Sequence, residues 1–196
     1  MTVPDVVSAI ESDTAFFDES GGGLTLSGGD PLLQPAFAAA ILQACRQLRI
    51  HTTLDTCGYA PWQHLHQVAL LSDLILYDLK HMDDDEHRRL TGQSNDLILE
   101  NLVRLDSLAR PLWIRIPYIP QINDAPHHMR KMGAFIATLA SVEAIHLLPY
   151  HRAGEAKERH LERSATESFS VPDNAAITAA AKLIEEETGR KVFVGG

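Results

Sequence analysis

The chain has 196 residues and a mass of 21.6 kDa, with 17 Lys and Arg against 26 Asp and Glu, a formal net charge of −9. Its length and 45% hydrophobic content suffice for a sizeable core, exclude general disorder and lead to the expectation of one domain over residues 1–196. The acidic balance argues against nucleic acid or an anionic membrane as partner, and the two cysteines, Cys45 and Cys57, supply neither a disulfide framework nor three thiolates for a metal cluster.

Residues 1–20 carry acids and no Lys or Arg, the reverse of a signal peptide, and no apolar run approaches the roughly 20 residues of a membrane span. Cytoplasm is the expected location, where both thiols stay reduced.

In chain order, apolar residues at 3, 6, 7 and 10 predict a first helix, with Thr2 as N-cap and Pro4 in its first turn. Gly21–Gly23 ends that segment, Leu24–Ser27 reads as a short strand, and Gly28-Gly29-Asp30-Pro31 as a turn. A helix is predicted over Pro35–Leu48, a strand over His51–Thr56 closed by Cys57-Gly58, a helix over Pro61–Leu71 and a buried strand over Asp73–Leu79. Helices over Asp84–Leu90 and Leu97–Ala109 precede the strand Leu112–Ile116, and a helix over His127–Ala140 precedes the strand Ala144–Tyr150. The charged stretch Arg152–Asp173 reads as an irregular surface loop, followed by a helix over Asn174–Thr188 and a strand at Lys191–Val194. Apolar strands separated by helices predict a parallel α/β sheet with outer helices, which right-handed crossovers curl towards a partial barrel.

In such folds ligands bind where the C-terminal ends of the strands converge. Those ends present Gly28, Gly29 and Asp30, then Asp55 and Thr56, Asp78 with Lys80, Arg115, and His151. Each also has a plain structural reading. The glycine pair is either a tight turn or bare backbone open to a ligand; Asp55 is a turn cap or a ligand; Asp78 and Lys80 form a local ion pair or meet a zwitterion or cation. Arg115 in an apolar strand needs a carboxylate partner, whether from the protein or from a ligand. Of the ten histidines, the His64/His66 and His127/His128 pairs have spacings that do not put two rings on one helical face, and Cys45 reads as an apolar filler.

The run Gly21-Gly22-Gly23-Leu24-Thr25-Leu26-Ser27-Gly28-Gly29-Asp30-Pro31 resembles the GGGxTxSGGEP segment of glycyl-radical-enzyme activating enzymes, the pyruvate formate-lyase activating group of radical S-adenosylmethionine (SAM) proteins. His51–Gly58 is similar to that family's HTxLDTxG strand, Asp78–Met82 to DLKxM, and Leu90-Thr91-Gly92 with Asn95 to LTGxxN. Trp113–Asp124 resembles WIRxPxIPGxND, with Gln121 where glycine is usual, and Leu147–His151 resembles LLPYH, with Gly154 and Lys157 fitting the GxxK that follows.

The resemblance implies an incomplete radical SAM-type (β/α)6 partial barrel and SAM as cofactor. Gly28, Gly29 and Asp30 would hold the SAM amino group, with Asp30 in place of the usual Glu. Asp55, Thr56 and Asp78 would hold a monovalent cation or meet the amino-acid end of SAM. Lys80, Arg115 and His151 would contact SAM or shape the substrate side. The implied partner is a glycyl-radical enzyme, on which the complete family member generates a glycyl radical after reductive SAM cleavage at a 4Fe–4S cluster.

The family's CxxxCxxC cluster motif is absent here. The expectation is therefore a truncated core whose first strand is missing, inactive by itself, with no cluster ligands and an exposed strand edge open to self-association. The alternatives are a non-catalytic module that pairs with a glycyl-radical enzyme or a complementing chain, and a metal-dependent barrel hydrolase using Asp55, Asp78 and His151.

Overall fold

The structure, a computed structural model, describes residues 1–151 and 169–195. Helix α1 (Val3–Ser12) starts at Thr2, whose hydroxyl accepts from Asp5 N while the Asp5 carboxylate accepts from Thr2 N, a reciprocal cap that holds the Asp5 carboxyl below its ordinary value. Asp13 leaves the helical region, and a separate helix α2 (Thr14–Ser20) follows, closed by Gly21 in the left-handed conformation. Then come β1 (Gly23–Leu26), a 3-10 turn at Pro31–Leu33, α3 (Pro35–Gln47), β2 (His51–Thr56), α4 (Trp62–Ala69) and β3 (Leu74–Asp78). After these lie α5 (Asp84–Thr91), α6 (Asp96–Asp106), β4 (Leu112–Tyr118), α7 (Pro126–Ala137), β5 (Val142–Pro149), α8 (Asn174–Thr188) and β6 (Val192–Val194).

The six strands form one sheet in the order β1-β2-β3-β4-β5-β6, the arrangement that successive crossovers through helices produce. Strand β1 runs parallel to β2 with Leu26 opposite Leu54, and β2 parallel to β3 with Thr56 opposite Tyr77. Strand β5 runs parallel to β6 with His146 opposite Phe193. The strands are not equally buried on both faces, as their apolar sequences suggest. In β4, Leu112, Ile114, Ile116 and Tyr118 are buried, whereas Trp113, Arg115 and Pro117 are half-buried. Arg115 therefore lies on the more open face of an alternating strand and is not fully buried.

The chain divides into two compact units that exchange segments along the sequence. The first comprises Met1–Asp78, Ser94–Trp113 and Ala140–Glu143. Here α1 packs on α3, α3 on α4 and α4 on α6. Ile10, Ile41, Cys45 and Ile50 form an apolar cluster joined by Val6, Leu24 and Phe37, and Cys45 is the filler its sequence context suggests. Asp106 ties the short Ala140–Glu143 piece to this unit, accepting from Ser141 N through Oδ1 and from Ser141 Oγ through its carbonyl, both at 2.7 Å.

The second unit comprises Leu79–Gln93, Ile114–Leu139 and Ala144–Gly196. Here α7 packs on α8, and Arg190 donates to the carbonyls of Ile136 and Leu139, supplying partners that the C-terminal end of α7 lacks internally. His128 on α7 is 5% exposed and stacks on His81, with ring centroids 4.0 Å apart. Its Nε2 has no hydrogen-bond partner among the described residues. No helix of the described residues is long and apolar enough to cross a membrane.

Burial, with the neighbouring His81, His127 and Lys131, lowers the His128 pKa from 6.5 to about 4, opposed only by Asp83. Between those values the unfolded chain binds a proton that the folded chain refuses, so stability falls as pH drops from 6.5 towards 4. Melting temperatures measured from pH 7.5 down to 4 are expected to fall steeply in this window for the wild type. For His128→Phe, which keeps the stack and cannot take up the proton, the fall should be distinctly shallower.

Candidate functional site

The turn after β1 is held from both sides by the end of β2. Ahead of the two glycines, Ser27 Oγ donates to Asp55 Oδ2 at 3.0 Å. Beyond them, Asp30 accepts from Thr56 Oγ1 at 2.9 Å, from Cys57 N at 3.3 Å and from Cys57 Sγ at 3.4 Å, all on Oδ2. Its Oδ1 accepts from Leu32 N at 2.9 Å and lies 3.1 Å from Thr56 Oγ1, which makes Asp30 the N-cap of the Pro31–Leu33 turn. Between these two ties, a methyl built on Gly28 or Gly29 would meet no heavy atom within 4 Å, so the backbone there stands open to an incoming group. A recess of about 210 Å³ adjoins the turn, lined by Ser27, Gly29, Asp30, Gln34 and the apolar Leu26 and Phe37.

The β2 side of this arrangement is itself fixed from behind. Thr56 is buried, and its hydroxyl oxygen also accepts from Gly58 N at 2.9 Å. Asn101, fully buried on α6, donates to the carbonyls of Gly58 and Ala60 at 2.7 and 2.9 Å, while its Oδ1 has no partner among the described residues. Tyr77 at the end of β3 is also fully buried and donates from its hydroxyl to Ile98 O at 2.8 Å. Burial, followed by the nearby Cys57 and Asp30, pushes the Tyr77 pKa well above its ordinary value, so the phenol keeps its proton. Gly58 has φ +71°, and a methyl there would lie 1.8 Å from Tyr77 Oη.

Asp78 is the last residue of β3 and is half-buried. The first unit thus holds Gly28, Gly29, Asp30, Asp55, Thr56 and Asp78 of the residues singled out from sequence, and the structure joins the first five of these strand-end residues through the ties described. Lys80, Arg115 and His151 belong to the second unit. Lys80 and His151 are exposed, and Arg115 is half-buried. Asn123, buried in the same unit, donates to the carbonyls of Lys80 and Pro117 and accepts from Ile119 N, fixing the loop that carries Lys80. Gln121, beside it, has φ +66°, a left-handed conformation that a glycine would adopt at no steric cost. Gly154 and Lys157 lie outside the described residues.

Sequence reasoning did not single out Asn101 or Tyr77. The signal for Asn101 is present: an amide in the apolar row Ile98, Asn101, Leu102 and Leu105 of one helix face must find polar partners. Among the described residues no group of three or more His, Cys, Asp or Glu side chains is placed to hold a metal ion. Cys45 is sealed in the apolar cluster and Cys57 is bonded to Asp30, so these cysteines do not fit a 4Fe–4S cluster. The open glycine turn does fit the amino-acid end of a SAM molecule, which needs close backbone approach and acceptors for an ammonium group.

The description "Radical SAM superfamily" matches residues 5–132, the segment that includes β1, β2, β3 and β4 with their strand ends. Over 95% of its length the chain is 41% identical to an isethionate sulfite-lyase activating enzyme of Oleidesulfovibrio alaskensis, covering 60% of that protein. It is 37% identical to the pyruvate formate-lyase-activating enzyme of Staphylococcus aureus, covering 94% of this chain and 76% of that one. A crystal structure of a domain of pyruvate-formate lyase-activating enzyme from Bacteroides vulgatus superposes with a TM-score of 0.76 and 32% identity, covering 89% of this chain and 99% of that one. The chain belongs to the radical SAM superfamily and, within it, to the glycyl-radical-enzyme activating enzymes. It spans about three fifths of the O. alaskensis relative.

Two substitutions test the backbone geometry. Gly58→Ala combines left-handed strain with collision against a buried ring, and is expected to cost on the order of 3 kcal/mol in urea unfolding. Gln121→Gly relieves strain at an exposed site and is expected to be neutral or to stabilise by up to about 1 kcal/mol.

Proposed function

We propose that this chain is the SAM-binding core of a glycyl-radical-enzyme activating enzyme. The observation that carries the reading is the Gly28–Gly29 turn, open on its Cβ side and tied to the end of β2, in a chain of this family. In this reading Gly28 and Gly29 offer backbone groups to the amino-acid end of SAM, and Asp55 with Asp78 supplies negative charge at two strand ends. Asp55, Thr56 and Asp78 are the candidates for a monovalent cation, and Lys80, Arg115 and His151 are the candidates for further SAM contacts and for the substrate side. SAM is the source of the radical chemistry in this family. The partner proposed is a glycyl-radical enzyme, supported by the names of the relatives. The residues present do not supply a cluster, and the proposal is that these 196 residues alone bind SAM without cleaving it.

A non-catalytic module that accepts an added strand is the second reading. It is favoured by the place of β1 at the end of the strand order.

Equilibrium dialysis with radiolabelled SAM should show saturable binding, reduced at least about tenfold in Gly29→Val with little change in melting temperature, because the added side chain fills open space on the ligand side. Equal affinity in the variant would sink the proposed site. Anaerobic reconstitution with iron, sulfide and reductant should yield neither a stoichiometric cubane cluster nor 5′-deoxyadenosine; either product would overturn the reading of inactivity.

A further inference from the structure

The Asp30 carboxylate receives four hydrogens: those of Leu32 N, Thr56 Oγ1, Cys57 N and Cys57 Sγ. A carboxylate offers about four lone-pair sites; here three donors converge on Oδ2 and one on Oδ1, so most of its hydrogen-bonding capacity is turned towards the chain itself. They also come from two directions. Leu32 N belongs to the short turn that Asp30 caps, and the other three belong to the end of β2. One oxygen therefore holds the local turn while the other reaches across to the neighbouring strand. A short Asp side chain suits this arrangement, since capping requires the carboxylate to stay close to its own backbone.

We propose that Asp30 is a positioning residue, whose carboxylate clasps the Gly28–Gly29 turn to the end of β2 and leaves the glycine backbone, not itself, to meet the SAM ammonium. The proposal rests on the functional reading above for the identity of the ligand, but the clasp stands on bonds within the chain. The glycines have no side chains with which to pack, so the turn takes its position from the residues that bracket it: Ser27 on Asp55, and Asp30 on Thr56 and Cys57. The Asp30 tie is the better anchored, because Thr56 is bonded onward to Gly58 and Gly58 to Asn101 in the core. Loosening the clasp lets the turn wander and spreads its backbone groups over many positions, so a ligand that needs them in one position binds more weakly.

Cys57 provides a reporter that needs no SAM. It is half-buried and donates to Asp30, whereas Cys45 is 0% exposed, so a thiol reagent such as Ellman's reagent reads Cys57 in the folded chain. Asp30→Asn preserves the cap but lacks the acceptor and the charge beside the thiol; Thr56→Val removes the main donor from the opposite side. Both variants are expected to accelerate the Cys57 reaction about tenfold. Both are expected to weaken SAM binding, with the double variant no weaker than the weaker single one, because all three break the same clasp.

An Asp30→Asn chain with wild-type Cys57 reactivity and weakened SAM binding would make Asp30 a direct ligand and overturn the proposal. Faster Cys57 reaction with unchanged SAM affinity would make the clasp purely structural and overturn it equally. A wild-type chain that binds no SAM would defeat the functional reading and the ligand part of this inference, while the thiol rates would still decide whether the clasp exists.

Discussion

Two adjacent glycines have no side chains with which to hold a position, and a turn built from them goes where its neighbours put it. Here the neighbours are Ser27 and Asp30, and both reach the same place, the last residues of β2. Much of the first unit arranges that place. Strand β2 lies between β1 and β3, its end carries Thr56 against Asp30, and the loop beyond is pinned by Asn101 and pressed against Tyr77. The helices behind the sheet supply the apolar burial that makes these polar ties rigid, and the ties convert that rigidity into a fixed backbone surface.

This order of dependence explains why the polar groups nearest the turn are mostly engaged with the protein itself. A carboxylate at a strand end looks like a ligand group when read from sequence. In the fold, Asp30 is used to hold a loop. The same applies to Asn123 in the second unit, which spends its amide on Lys80, Pro117 and Ile119 and so fixes a loop instead of meeting a ligand. In both cases a side chain positions main chain, and the main chain offers the surface.

Much of this was legible in the sequence, for identifiable reasons. Helix α8 occupies the predicted residues and α3 ends one residue early, because their apolar spacing is long and regular; strand β2 occupies its predicted residues because β-branched threonines run up to the break at Cys57-Gly58. Helix α2 was not legible: its apolar content is Ala15, Phe16 and Phe17 in succession, which carries no period. Strand β1 starts and ends one residue earlier than predicted, since a four-residue strand between glycines gives little to fix its register. At the candidate site, the strand-end rule singled out the glycine turn, Asp55 and Thr56, which hydrogen bonds in the fold tie to one another. It did not reach Tyr77 or Asn101: the apolar row around Asn101 shows that its amide needs partners, but which loop it supports is a tertiary fact. Arg115 was read as needing a carboxylate partner because its neighbours are apolar; strand alternation places it on the more open face, a distinction that a run of apolar letters does not carry.

The exchange of segments between the two units bears on how the chain reaches this state during synthesis. The first unit includes Ala140–Glu143, held by Asp106 through Ser141, so it cannot close until the ribosome has delivered the chain well past its middle. The glycine turn and its partners on β2 are made early and close together in sequence, whereas α6 and the short closing piece arrive late. A nascent chain therefore holds the glycine turn before its supports exist, with apolar strand and helix faces still uncovered. That interval is when a chaperone, or an early-bound ligand, has most influence on whether the chain folds or aggregates.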